Sequence, residues 1–132
     1  ANAWPVDSVT KRPAHPDELL QWIACRPSTG ELLEAFVAPS NPLGPNTAVH
    51  TRLSVDRIVS GGSVGDALER WNAFVRPTDV LCTWGHYAAS LLFRSGGELP
   101  RERLDLRVIA RAFLQPTRSL ISRTSKPGER RC

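Results

Sequence analysis

Apolar positions along the chain cluster in short runs separated by proline-rich polar stretches. The first run, Leu19 to Arg26 (LLQWIACR), is ended by Pro27-Ser28-Thr29-Gly30, and Glu31 to Val37 (ELLEAFV) comes directly after. Two apolar runs around such a turn predict a β-hairpin, since proline presets one turn dihedral and glycine supplies a positive φ. Residues 5–18 and 38–47 each hold three prolines among polar groups and read as irregular loops.

Ser63 stands where a helix N-cap should, with Asp66 three residues on. Val64, Ala67, Leu68, Trp71, Phe74 and Val75 recur at spacings of three and four, which marks one buried helix face that Pro77 terminates. Asp79 to Trp84 (DVLCTW) is short and apolar, the pattern of a buried strand. Gly85 ends it. Tyr87 to Arg94 predicts a short helix closed by Gly96-Gly97, and Asp105 can cap a last helix with Leu106, Ile109, Ala110 and Phe113 inward. Ala1 to Trp4 is a candidate strand. The order predicts an α/β domain over residues 1–114: a mixed sheet with an N-terminal hairpin and helices packed on it.

Composition changes this picture in three places. No apolar run approaches the roughly 20 residues a membrane span needs, so no membrane partner is expected. Cys25, Cys82 and Cys132 form no metal-type pair such as C-x-x-C; the first two sit in apolar runs and read as buried thiols, with a reducing cytoplasm as the setting. Charge is uneven. Residues 1–100 carry eight Lys/Arg against ten Asp/Glu, and residues 101–132 carry nine against three. The C-terminal part, with 115–132 as a basic, flexible tail, is either an electrostatic footprint for phosphate backbones or a solvated segment. With no Met anywhere, the chain is expected to be a processed, excised or truncated product, part of a larger polypeptide.

Several stretches of the sequence, in this order, resemble the DEDD 3′-5′ exonucleases, a branch of the ribonuclease H-like fold. They are E-L-L-Q-W-I-A (Glu18 to Ala24), T-G-E-L-L-E-A-F-V-A-P (Thr29 to Pro39) and N-P-L (Asn41 to Leu43). Further on come the helix S-V-G-D-A-L-E-R-W-N-A-F-V, the strand and turn V-L-C-T-W-G-H-Y, and L-D-L-R-V-I-A-R. The resemblance covers residues 1–114 and implies a ribonuclease H-like mixed sheet. In that family two divalent metal ions, Mg²⁺ or Mn²⁺, align a water and stabilise the leaving oxygen of a phosphodiester. Four acidic residues hold them.

Carried onto this chain, the resemblance finds most of that set vacant. A-N-A-W (Ala1 to Trp4) matches the residues just after the family's D-x-E, so that pair would precede Ala1. The Asp expected after W-G-x-Y falls on Ala88, whose methyl group binds no metal. No His comes after Phe113, and no Asp after Asp105. Asp105 matches a helix-start Asp of the family and reads as a cap before it reads as a ligand. No catalytic residue and no metal ligand is therefore assigned, and Mg or Mn is expected only if ligands come from outside this chain.

The remaining candidates are for binding. His86 lies just past the central strand, on the edge where ligands meet α/β sheets. Trp84 ends that strand and could stack on a base, as could Trp4, whereas Trp22 and Trp71 read as core. His50 precedes a segment that the resemblance puts near a substrate's 3′ end; a loop hydrogen bond is its other reading, and His15 reads as exposed. Arg103, Arg107 and Arg111 recur every four residues and would share one face, a phosphate-tracking stripe or a solvated one. The expectation is an exonuclease-like, non-catalytic module that binds nucleic acid, RNA above all. Similar segments accompany DTW-domain tRNA-modifying proteins, which points towards tRNA, although no DTW motif occurs here. A fragment of an active Mg-dependent 3′-5′ exonuclease and a structural or protein-interaction domain remain as alternatives.

Overall fold

The computed structural model describes residues 1–114; the basic segment 115–132 lies outside the described residues. In chain order the elements are β1 (Gln21–Arg26), β2 (Glu31–Phe36), α1 (Thr47–Thr51), α2 (Val55–Val59), α3 (Val64–Phe74), β3 (Val80–Thr83), α4 (Tyr87–Arg94), β4 (Glu102–Asp105) and α5 (Leu106–Leu114). This is a mixed α/β arrangement with an N-terminal antiparallel hairpin. No helix among the described residues is long and apolar enough to cross a membrane.

The predicted hairpin forms, with Gln21 opposite Phe36 and Arg26 opposite Glu31. Side chains alternate across it: Trp22, Leu33 and Ala35 point into the core while Ile23, Leu32 and Glu34 face out. α3 covers the inner face. It begins as the sequence predicts, with Ser63 Oγ accepting from the Asp66 N–H at 3.0 Å, and it buries Ala67 and Trp71. Val64, predicted on the same face, lies exposed in the first turn. Trp71 meets Trp22 edge-on at 5.3 Å and donates its indole N–H to the Glu98 carbonyl at 2.6 Å. Such an aromatic pair contributes ~0.5–1.5 kcal/mol beyond the area it buries. Leu91 and Leu92 of α4 complete the cluster with Leu19 and Val37.

One continuous mixed sheet was the expectation. The strands instead form two separate two-stranded sheets, antiparallel β1–β2 and parallel β3–β4. β4, which pairs Val80 with Glu102 and Thr83 with Asp105, was not foreseen, because E-R-L-D has no apolar alternation to announce it. Ala1 to Trp4 forms no full strand, only a bridge in which Asn2 and Glu18 exchange both backbone hydrogen bonds at 2.9 Å.

Three further expectations are corrected. β3 is not a buried strand: Val80 and Cys82 are exposed, since no layer covers their face among the described residues. Cys25 and Cys82 are exposed rather than buried, because both point away from the core face of their strands. α5 has a strong apolar stripe, yet it buries no residue and adds nothing to the core cluster.

Two polar clusters bind the pieces together. Arg26, nearly buried at the end of β1, donates to both carboxylate oxygens of Asp79 (3.3 and 2.6 Å), to Glu31 and to the Phe74 carbonyl at 2.8 Å. Its bonds with Asp79, then with Glu31, raise its proton affinity, and Arg26 in turn holds the Asp79 carboxyl below its ordinary value. Asn2, fully buried, donates to Glu18 (2.9 Å) and to the Pro42 carbonyl (3.1 Å), and accepts from Gly44 N (2.8 Å) and Thr47 Oγ1 (3.0 Å). That satisfies the buried amide and pins the N-terminal segment to two loops.

Candidate nucleic-acid interface

The C-terminal end of β3, one face of α4 and strand β4 enclose a groove of ≈ 910 Å³. The α4 side is built by periodicity. His86, Ala89, Ser90, Phe93 and Arg94 recur at helical spacing and line one wall, while Ala89, Leu91 and Leu92 seat the helix on the core. Thr83, Arg103, Leu104 and Asp105, at the ends of the paired strands, line the other, with Pro100 and Arg101 at the turn into β4. Three arginines and one aspartate are therefore among the residues that line the groove.

Asp105 fixes its geometry. One carboxylate oxygen accepts from Gly85 N (2.9 Å), Arg107 N (2.9 Å) and Val108 N (3.4 Å), so the residue ends β4 and caps α5 at once. Burial works to raise its pKa, but these three N–H donors outweigh it and hold the carboxyl below its ordinary value. Its other oxygen lies 3.9 Å from His86 Nδ1, an imidazole that is 83% exposed. Gly85 is required here, with φ at +80° and the Arg107 guanidinium carbon only 3.3 Å from where a side-chain carbon would begin.

Of the six residues singled out in the sequence, the structure gathers His86 and Arg103 in this groove. Trp84 stands beside it in sequence, at the end of β3, with 69% of its surface exposed. His50 is exposed at the end of α1 and lines neither this groove nor the second one. The expected arginine stripe is broken, because Arg103 belongs to β4 and only Arg107 and Arg111 ride on α5. Arg107 packs its guanidinium on Gly85 with Nε buried and unpartnered among the described residues, while Arg111 is exposed. Sequence reasoning missed Phe93, Arg94 and Arg101. The signal existed for the first two, which fall seven and eight residues after His86 on one helix. Arg101 needed β4, which carried no signal.

A second groove of ≈ 590 Å³ runs past Asp17, Glu18 and the start of α3 at Ser63. Glu18 is already committed, since its carboxylate accepts from Asn2, Ser40 and Asn41. Nearby, Tyr87 donates its hydroxyl to Asp17 at 2.6 Å. Ala88 is exposed in the first turn of α4, and among the described residues no three His, Cys, Asp or Glu side chains converge as a metal-binding group.

The site and fold define a mixed α/β protein with a basic, partly aromatic groove at its strand ends. Compared with protein-family models, curated proteins and solved structures, the chain matches none of them.

Proposed function

We propose that the chain is an exonuclease-like module, ribonuclease H-like in descent, that binds single-stranded nucleic acid, RNA by preference, without cutting it. One observation carries the reading: Arg94, Arg101 and Arg103 line the same groove as Phe93, whose ring is 65% exposed. Guanidinium groups neutralise successive phosphates, and an exposed ring offers a stacking surface that a base can take. Trp84 supplies a second exposed ring close by in the chain. Ala88 in the first turn of α4 supports the non-catalytic part, since a methyl group has no lone pair for Mg²⁺.

The test is titration of a labelled single-stranded RNA at two salt concentrations, with and without Mg²⁺, with the RNA length monitored on a gel. Binding that weakens with salt, with the RNA left intact, is the expected result. Mg²⁺-dependent shortening from the 3′ end would overturn the non-catalytic part, and no binding at low salt would overturn the whole.

A further inference from the structure

We propose that the groove between α4 and β4 selects its nucleic acid by base: the Asp105 carboxylate accepts a hydrogen bond from an exocyclic amine, so adenine, cytosine and guanine are taken and uracil is turned away. The inference rests on the reading of this groove as a nucleic-acid site and adds to it a residue that specifies sequence. Phosphate contacts hold a strand in register without reading it, whereas base edges carry the sequence. Arg94, Arg101 and Arg103 can supply the first kind of contact, and Asp105 is the one carboxylate among the residues that line the groove.

The two oxygens of Asp105 have separate duties. Oδ1 takes the N–H groups of Gly85, Arg107 and Val108. Oδ2 accepts no hydrogen bond among the described residues, and His86 Nδ1, 3.9 Å away, stands beyond hydrogen-bonding reach. Burial works to raise the pKa, but the three N–H donors outweigh it, so the carboxylate is ionised at neutral pH and can only accept. The same three bonds fix its plane, while 25% of the side chain's surface stays open. Capping does not explain the charge. Asn or Ser caps a helix as well as Asp does, and a negative charge in this groove repels phosphate. What the second oxygen adds is an acceptor of fixed direction.

The bases differ at the edge that such an acceptor meets. Adenine N6, cytosine N4 and guanine N2 are amines with hydrogens to give. Uracil carries its one edge N–H, at N3, between two carbonyl oxygens, and both oppose an approaching carboxylate. Phe93, in the same groove, offers an exposed ring on which any base can stack, so stacking adds affinity and Asp105 makes the choice. Arg103 and Asp105 stand two residues apart on β4 and both line the groove, about 6–7 Å from each other along the strand. Phosphate and base contacts therefore lie side by side on one element.

The experiment measures binding of RNA oligomers of equal length, and so of equal phosphate charge, in two matched pairs. One pair is oligocytidine against oligouridine; the other is oligoadenosine against oligomeric purine riboside, which is adenosine without its amine. The native chain is expected to bind the amine-bearing member of each pair about tenfold more tightly, the effect of one hydrogen bond to a charged group. Asp105→Asn keeps Oδ1 for the three N–H groups and puts an NH₂ donor in place of Oδ2. It should stay folded in a thermal melt and lose the preference for cytidine over uridine. In the native chain the Asp105 carboxyl carbon resonance should move with oligocytidine and stay in place with oligouridine, which tests the assignment without a variant. Salt-sensitive binding with no preference within either pair would overturn the inference and leave the reading of the groove standing. A preference that persists in folded Asp105→Asn, or a carboxyl resonance that ignores oligocytidine, would overturn it too. No binding of any oligomer at low salt would overturn both.

Discussion

Tyr87 at the start of α4 donates its hydroxyl to Asp17 Oδ2 across 2.6 Å, joining residues 70 positions apart in the chain. Burial first, and the bond to Asp17 second, push the Tyr87 pKa up to about 12. The protonated ring is therefore favoured by the folded state over the unfolded one, whose pKa is about 10. Its stabilising contribution is complete below about pH 10 and is lost as pH rises through about 12. Tyr87 is the single tyrosine in the sequence, so ultraviolet titration of the phenolate reports on it alone. A midpoint near 12 is expected, moving down in Asp17→Asn. A native-chain midpoint near 10 would show that the contact does not form in solution.

Acid acts on a different cluster, the one around Arg26. Asp79 is held below its ordinary pKa first by Arg26, and Glu31 first by Thr29 and then by Arg26. In the range below about pH 4.5 the folded state then binds fewer protons than the unfolded one, so stability falls with falling pH. This contribution is present above that range and disappears as pH drops through the depressed folded values. Asp79→Asn should lower the melting temperature at pH 7 and flatten its dependence on pH below about 4.5. Thermal melts of both proteins from pH 7 to pH 2 check it; parallel curves would contradict it.

The parts of this fold that could be read from the sequence are those whose signal is local. Ser63 caps α3, Trp22 and Trp71 are core, and Pro27 to Gly30 turns the hairpin, because capping, periodicity and turn chemistry act within a few residues. β4 was illegible: its existence rests on pairing with β3 about twenty residues away, and E-R-L-D offers no alternation of its own. The same failure grouped Arg103 with Arg107 and Arg111 on one face, where Arg103 in fact belongs to β4. Cys25 and Cys82 misled for a related reason. An apolar run says that a strand is half buried, but the side facing out is fixed only by what packs above it. Asp105 was legible as a cap, yet its bond to Gly85 N, which ties the groove walls together, is a tertiary fact.

Two glycine substitutions should move stability in opposite directions. At Gly44 a side-chain carbon would stand 2.2 Å from the Ala3 carbonyl oxygen and 3.1 Å from Thr47 Oγ1. Backbone must shift, and the bond from Gly44 N to Asn2 goes with it, so Gly44→Ala should cost ~2–4 kcal/mol through overpacking and a buried amide left short of a donor. At Gly65, in the first turn of α3, only Ser63 Oγ lies near, at 3.6 Å. Gly65→Ala should stabilise by ~0.5–1 kcal/mol by restricting the unfolded chain and favouring the helix. Urea titrations measure both, and a destabilised Gly65→Ala would contradict the account of α3.

Arg103 and Arg107 were equivalent in the sequence and are not equivalent in the fold. Arg103 lines the groove on an exposed strand end, so on the proposed function it contacts phosphate. Arg107 lays its guanidinium over Gly85 at the start of α5 and works within the protein. Arg103→Ala should weaken binding of single-stranded RNA to a similar degree across sequences and make the dependence of log affinity on log salt shallower by ~0.7. Its melting temperature should stay close to that of the parent, since it makes no ion pair or side-chain hydrogen bond among the described residues. Arg107→Ala should do the reverse, lowering the melting temperature with the salt slope unchanged. Affinities measured at several salt concentrations, beside thermal melts of the same samples, separate the two effects. If the salt slope responds to Arg107→Ala and not to Arg103→Ala, nucleic acid does not lie in the groove between α4 and β4.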